Sequence, residues 1–373
     1  MRDSKSVKRT LFEAICSQAY PPGVRLESIQ QLAAAHGTSK TTVSKALKEL
    51  EAEGRLERGP GRGYFVPRGG PMAPSRPGTI GFLVGSRHES EPIGSLSPGH
   101  RDTLGGMQEV LLAGNRSLLV MGGLVDDGGK PAEFPLDALR ARHLEGLLTS
   151  MVYRVRYLVE LSAVFPAMAV LDMDASDLGI DSVTFDNLGS AVKIMRLLVA
   201  DGARRIAFVG GPFPFSPRTM IPHRYDPCAR ERLDGWRLGL AGAGFQADPA
   251  LVRLTQQRQP AIVRQVVLDM VAEGVRPDAV LTEFPFDVVR ALEQAGVSPS
   301  EGPVAGWTYA STPREDLRGI RYAALCDFER LGRMGIDMLL RRLEKPDKPV
   351  ERELIEPGIV DAEGVPVETA IVD

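Results

Sequence analysis

The sequence is poor in cysteine, histidine and tryptophan, and it has no long hydrophobic run. Its three cysteines, Cys16, Cys228 and Cys326, are too few and too scattered for a disulfide framework or a metal knuckle, and they fit a reducing compartment. The histidines at 36, 88, 100, 143 and 223 pair neither with cysteine nor with one another at metal-ligand spacing. No stretch approaches the roughly 20 apolar residues that a membrane helix needs. The N-terminal residues show no basic-then-apolar secretion signal, so a cytoplasmic protein with no membrane contact is expected. Also missing are a Gly-x-Gly-x-x-Gly after a strand, a Walker loop and a Gly-x-Ser-x-Gly elbow. These absences argue against an enzyme and imply no cofactor, no metal and no catalytic residue.

What is there is an ordinary globular balance. The chain has 373 residues, 43% hydrophobic and 25% charged, enough for two or three folding units with sizeable cores. The net charge of −3 hides an asymmetry. Residues 1–68 carry twelve Lys/Arg against seven Asp/Glu, and the rest carries thirty-three against forty-one. A small basic end on an acidic body suggests one module for polyanions and another for something else. Residues 67–78 contain seven Pro or Gly among twelve, a composition that can neither propagate a helix nor sit inside a sheet. The expected division is a domain at 1–67, a linker at 68–77 and a body at 78–373.

The first domain reads as three helices and a hairpin. Val7, Leu11, Ala14 and Ile15 form a helical stripe that stops at Pro21-Pro22. Ser28 and Gln31 have capping-box spacing ahead of Ile29, Leu32 and Ala33. A third helix over 39–53 has Val43, Ala46, Leu47 and Leu50 inside. Residues 55–58 and 63–66 then flank the turn residues 59–62. Helix, helix-turn-helix and hairpin make a winged helix.

The third helix is polarised. Its start, Ser39-Lys40-Thr41-Thr42-Val43-Ser44-Lys45, is hydroxylated and basic, while Glu49, Glu51 and Glu53 lie in its second half. A helix entering a DNA major groove N-terminus first suits this order. N–H groups and hydroxyls meet phosphates, and Lys40, Thr41 and Lys45 approach base edges. Arg62, between two glycines at the wing tip, suits the adjacent minor groove. Taken singly, each residue also has a plainer role as cap, solvated lysine or hairpin turn.

Residues 5–67 resemble the DNA-binding domain of the GntR family. The matching strings are Pro22-Gly23-Val24-Arg25-Leu26, Gln31-Leu32-Ala33, Ser39-Lys40-Thr41-Thr42-Val43, Leu50-Glu51-Ala52-Glu53-Gly54 and Gly61-Arg62-Gly63-Tyr64-Phe65-Val66. The resemblance implies operator contacts from Ser39, Lys40, Thr41, Thr42 and the wing glycine Gly63. Ser44 stands where family members often have Arg, and Glu27-Ser28-Ile29-Gln30 replaces a Pro-Ser-Glu-Arg string. Lys45 and Arg25 are the candidates to compensate.

Beyond the linker, short apolar strands alternate with helices. Strands are expected at 79–84, 117–121, 146–149, 167–171, 182–185, 205–209, 279–282 and 303–306. Helices are expected at 105–112, 155–164, 189–201, 231–243, 260–273, 286–295 and 327–343. This alternation predicts an α/β body with two doubly wound parallel sheets. A cleft between strand C-termini would trap a ligand. Candidate ligand groups follow the strands: Ser86, Asp172, Asp186, Asn187 and Glu283. Arg232 joins them, on a helix whose apolar stripe is Leu233, Trp236 and Leu240, and could fork onto a carboxylate or paired hydroxyls. Plainer roles stay open here too: a turn cap for Asp172, a helix cap for Asn187, a surface ion pair for Arg232.

Residues 78–373 resemble the periplasmic-binding-protein-like core of the LacI/GalR family. Strings that carry the likeness include Thr79-Ile80-Gly81-Phe82-Leu83-Val84, Val183-Thr184-Phe185-Asp186-Asn187, Arg205-Ile206-Ala207-Phe208-Val209-Gly210-Gly211 and Arg232-Leu233-Asp234-Gly235-Trp236. The resemblance implies an effector held by Arg232 and a chain that crosses three times between lobes, 78–186 with 310–342 and 187–309 with 343–373. Phe284-Pro285 replaces an Asn-Asp pair, and Trp307-Thr308-Tyr309 replaces Tyr-Asp-Asp. A sugar-binding carboxylate is thereby lost, and Glu283 could supply a displaced one. The expectation is a dimeric, operator-binding transcription regulator, a repressor controlled by a sugar-like effector. The alternatives are a DNA-binding dimer with a degenerate pocket, or a cytoplasmic ligand-binding protein whose basic domain meets another protein.

Overall fold

The structure, a computed structural model, describes residues 4–16, 19–21, 23–52, 55–59, 63–67, 78–85, 97–122, 136–140, 142–152, 154–211, 227–255, 259–298 and 302–367. The chain parts into two compact units, Met1–Ile80 with Pro135–Glu145, and Gly81–Phe134 with Gly146–Asp373. The expected boundary at 68–77 lies outside the described residues. Residues 135–145 group with the first unit through the start of the first body strand: Gly78 N donates to Glu145 Oε1 at 2.8 Å, and Glu145 N donates to Thr79 O at 3.0 Å.

In the first unit, α1 (Ser4–Cys16), α2 (Ile29–His36) and α3 (Lys40–Ala52) precede a two-stranded antiparallel wing, β1 (Glu57–Arg58) and β2 (Tyr64–Phe65). The Ser28–Gln31 capping box forms, with both reciprocal bonds present. Gly37 ends α2 in the left-handed region at φ 60°, a backbone state in which a side chain would be strained. The stripes expected from sequence all turn inward: Val7, Leu11, Leu32, Val43, Leu47 and Leu50 are buried together with Tyr64 and Val66 of the wing. Residues 23–26 add a third rung to the wing, with Leu26 N donating to Tyr64 O and Val66 N to Val24 O.

The body runs β3 (Thr79–Val84), α4 (Pro98–Ala113), β4 (Ser117–Gly122), α5 (Leu136–Arg140), β5 (Gly146–Ser150), α6 (Val155–Ser162), β6 (Met168–Leu171) and β7 (Asp181–Phe185). Next come α7 (Asn187–Ala200), β8 (Ile206–Gly210), α8 (Pro227–Gly242), β9 (Val252–Leu254), α9 (Pro260–Ala272), β10 (Ala279–Thr282) and α10 (Pro285–Gln294). Then β11 (Val304–Tyr309), β12 (Ile320–Cys326), α11 (Phe328–Glu344), β13 (Arg352–Ile355) and β14 (Gly358–Asp361) complete it. Two six-stranded sheets result, ordered β13-β7-β6-β5-β3-β4 and β14-β12-β11-β10-β8-β9. In the second, only β14 runs antiparallel to its neighbour.

The chain crosses between sheets near Asp186, near Asp327 and at 356–357. Three crossings are as expected, but the last two fall later than the expected 310 and 343. The reason is two unrecognised strands. β12 reads Ile-Arg-Tyr-Ala-Ala-Leu-Cys, short of β-branched residues, yet it is buried in the second sheet. β13 belongs to the first sheet, beside β7. α4 also starts earlier than expected, capped by Ser97 with Pro98 in its first turn.

Each sheet is covered by closely packed helices. A Cβ on Gly332 of α11 would lie 2.1 Å from Thr103 O of α4, so only glycine lets these two backbones meet. Behind β7, Asp181 is buried and takes Arg342 at 2.7 and 3.0 Å, Lys348 at 2.9 Å and Glu351 N at 2.8 Å. Burial pushes its carboxyl up, but these partners together hold it below the usual aspartate value. The network ties α11 to the segment that leads into β13.

Candidate functional site

The start of α3 is ordered by its own hydroxyls. Ser39 Oγ accepts from Thr42 N at 3.1 Å and lies 2.8 Å from Thr42 Oγ1. Ser39 is thus the N-cap, and Thr42 is half-buried beside it. Lys40, Thr41, Lys45 and Lys48 are exposed. Together with Ser44, Glu49 and Ile29 they line one open groove between α2 and α3. Lys40 Nζ donates to Gln30 Oε1 at 3.3 Å, across the two helices. Two carboxylates of the second half are paired, and one of them, Glu49, stands at the groove itself. Glu49 pairs with Lys8 at 3.6 Å, and Glu51 pairs with Arg58 at 3.2 Å. Gly63 is buried, and a Cβ there would meet Arg25 Nε at 2.6 Å. The exposed Arg25 lies over it, with its guanidinium carbon 6.0 Å from the Phe65 ring centre.

In the body, the strand ends of the two lobes approach one another. Cys228 Sγ of α8 donates to Asp172 O, beyond β6, at 3.1 Å, and Ser311 Oγ donates to Asp102 of α4 at 2.6 Å. Asp172 has φ 59°, as does Met151 after β5, so two non-glycine residues hold left-handed backbone at the lobe edge. A buried polar chain lies alongside. Asn187, fully buried at the start of α7, donates to Glu231 at 3.1 Å and accepts from Arg232 Nε at 2.9 Å. Arg232 Nη1 stands 3.6 Å from Glu283 Oε2, and its guanidinium carbon stacks 4.6 Å from the Trp307 ring centre. Trp307 Nε1 donates to Ser190 Oγ at 3.0 Å, which fixes the ring. Glu283 Oε1 accepts from Gly211 N at 3.2 Å. Burial raises the Glu231 carboxyl above the usual value, against the Asn187 amide and the charge of Arg232. It pushes the Cys326 thiol up to about 12, which makes a poor nucleophile.

Comparison with known proteins fits this geometry. The gntR family of bacterial regulatory proteins matches residues 3–66, and the periplasmic-binding-protein-like domain matches residues 195–363. The chain thus carries a domain matched by the gntR family at its N-terminus and one matched by the periplasmic-binding-protein-like domain further on. An uncharacterized HTH-type transcriptional regulator, YcxD of Bacillus subtilis (strain 168), is 37% identical over 85 residues, or 22% of this chain and 19% of that relative. The match therefore spans about a fifth of the relative's length. The transcriptional regulator CelR in complex with cellobiose has the same fold at TM-score 0.64 and 18% identity, over 91% of this chain and all of that one. The lac repressor dimer bound to operator and the anti-inducer ONPF superposes at 0.62 with 19% identity, over 78% of this chain and 94% of that one.

In the gntR-type domain, the sequence residues divide by role. Lys40, Thr41 and Lys45 share the open face of α3, whereas Ser39 and Thr42 are engaged in the cap. Gly63 is covered by Arg25, so its lack of a side chain serves packing. Arg62 lies outside the described residues. Sequence reasoning missed Lys48, whose spacing of three from Lys45 and eight from Lys40 was the available signal.

In the periplasmic-binding-protein-like body, Arg232, Glu283 and Asp172 come to the region where strands end. Asp186 Oδ1 accepts from Gly189 N at 2.8 Å, so Asp186 is the N-cap of α7. Ser86 lies outside the described residues. Trp307, noted in the sequence as a departure, proves to be the platform under Arg232, and Glu231 was not anticipated. Among the described residues no group of three His, Cys, Asp or Glu could hold a metal ion, and no helix is long and apolar enough to cross a membrane.

Proposed function

We propose that the protein is a transcription regulator that binds a two-fold operator as a homodimer and answers to a small molecule held between the lobes of its body. The observation that carries this reading is the open lysine face of α3. Lys40, Lys45 and Lys48 line it against one carboxylate, Glu49, which is paired to Lys8, so the charge presented outward is positive. Lys40, Thr41 and Lys45 are the residues assigned to base edges and phosphates, with Lys48 on phosphate. Ser39 and Thr42 order the helix start that delivers them. Two copies supply the affinity that one small domain lacks. The fold shared with the cellobiose-bound and operator-bound regulators supports a sugar-like effector and control by repression. The effector shifts operator affinity only as far as it prefers one lobe arrangement over the other.

The test uses the full chain on duplex DNA. Genomic fragments retained by the protein are footprinted, and their affinity is measured across salt. A specific protected site whose log affinity falls linearly with log salt is expected. Binding that is absent, or indifferent to salt, would overturn the reading.

A further inference from the structure

We infer that Glu283 is a built-in counter-ion for Arg232, so that this end of the cleft takes an uncharged, hydroxyl-bearing ligand and turns away carboxylates and phosphates. The inference deepens the effector reading above and rests on it. Arg232 on α8, Glu283 after β10, Trp307 on β11 and Asn187 on α7 all belong to the second lobe. The pair therefore persists however the lobes open.

The surroundings are shaped for the carboxylate. Gly211 N donates to Oε1 at 3.2 Å, and a Cβ on Gly210 would lie 2.7 Å from the same oxygen. The backbone at the end of β8 thus makes room for Glu283 and supplies a donor to it. The Glu283 side chain is 1% exposed and that of Arg232 11%. An anionic ligand reaching Arg232 would have to compete with a carboxylate already buried beside it. A hydroxyl faces no such conflict. At 3.6 Å the two charged groups attract without a hydrogen bond between them, and a hydroxyl can accept from the guanidinium while donating to the carboxylate. The Asn187 bond to Nε and the Trp307 face hold the guanidinium in one orientation for this.

Calorimetric titration of the full chain with gluconate and with inorganic phosphate tests the assignment. Wild type is expected to show no anion binding that depends on Arg232. Glu283→Gln keeps an oxygen acceptor for Gly211 N but removes the charge. It should bind either anion at least about tenfold more tightly than wild type. The double variant Glu283→Gln/Arg232→Gln should lose that gain. Anion binding by wild type that Arg232→Gln removes would overturn the inference, and so would a Glu283→Gln protein that gains nothing. Should Glu283→Gln fail to fold, wild type against Arg232→Gln decides the matter alone. Duplex binding is measured in parallel on the same preparations. Its absence in wild type counts against the regulator reading and leaves the anion result standing.

Discussion

On α3 the lysines stand exposed, while Glu49 and Glu51 are paired to Lys8 and Arg58. In the body, Arg232 is buried and held by Asn187, Glu283 and Trp307. The first surface leaves its charge for a polyanion to neutralise, while the second has satisfied its charge internally. Exposed lysines cost folding little and give affinity through released counter-ions. A buried arginine is stable only while its partners remain. The same residue class therefore acts on binding in one unit and on stability in the other, and substitutions should separate the two.

The largest expected effect is in the body. Arg232→Ala removes the cation that faces the buried Glu283 carboxylate and strips the Trp307 face, so unfolding free energy should fall by about 3–5 kcal/mol. Urea denaturation followed by tryptophan fluorescence measures this. Effector response should vanish as well. A variant as stable as wild type would show that the body is not self-neutralised and would end the contrast.

Next comes the open surface. Lys40→Ala should weaken specific operator binding by about 1–3 kcal/mol with no change in the unfolding midpoint. If Lys40 also reaches a phosphate, the slope of log affinity against log salt should drop by about one. Anisotropy titration across salt reads both. An unchanged footprint and slope would remove Lys40 from the interface, and a lowered midpoint would make it structural like Arg232.

The same contrast explains what could be read from the sequence. The winged helix was legible almost to the residue, because its signals are local: a capping box over four residues, stripes at helical spacing, glycines at the turns. The lobes were legible in number and in sheet type. Their second and third crossings were not, because β12 is alanine-rich and β13 pairs with β7, some 170 residues away, and neither has a local signal. The polar cluster at the strand ends of the second lobe was least legible. Arg232 and Glu283 stood out as charges in apolar surroundings, but nothing in the sequence says that they face each other. Asp186 shows a second ambiguity. A carboxylate after a strand can face a ligand or cap the next helix, and here it caps α7.

The smallest effect sharpens the boundary inside the winged-helix unit itself. Ser39 caps α3 through Thr42 N, yet it stands at the end that would meet phosphates. Ser39→Ala removes the cap oxygen and should cost about 1 kcal/mol of stability, with some loss of operator affinity because the helix start loosens. Ser39→Asp separates the two roles. Aspartate caps as well as serine and favours the positive end of the helix dipole, so the unfolding midpoint should return to the wild-type value or above. Its negative charge would face the DNA backbone, so duplex affinity should still fall. Thermal unfolding and anisotropy on the two variants check this together. If Ser39→Asp restores both stability and affinity, the cap lies away from the phosphates, and α3 approaches DNA by its lysine face alone.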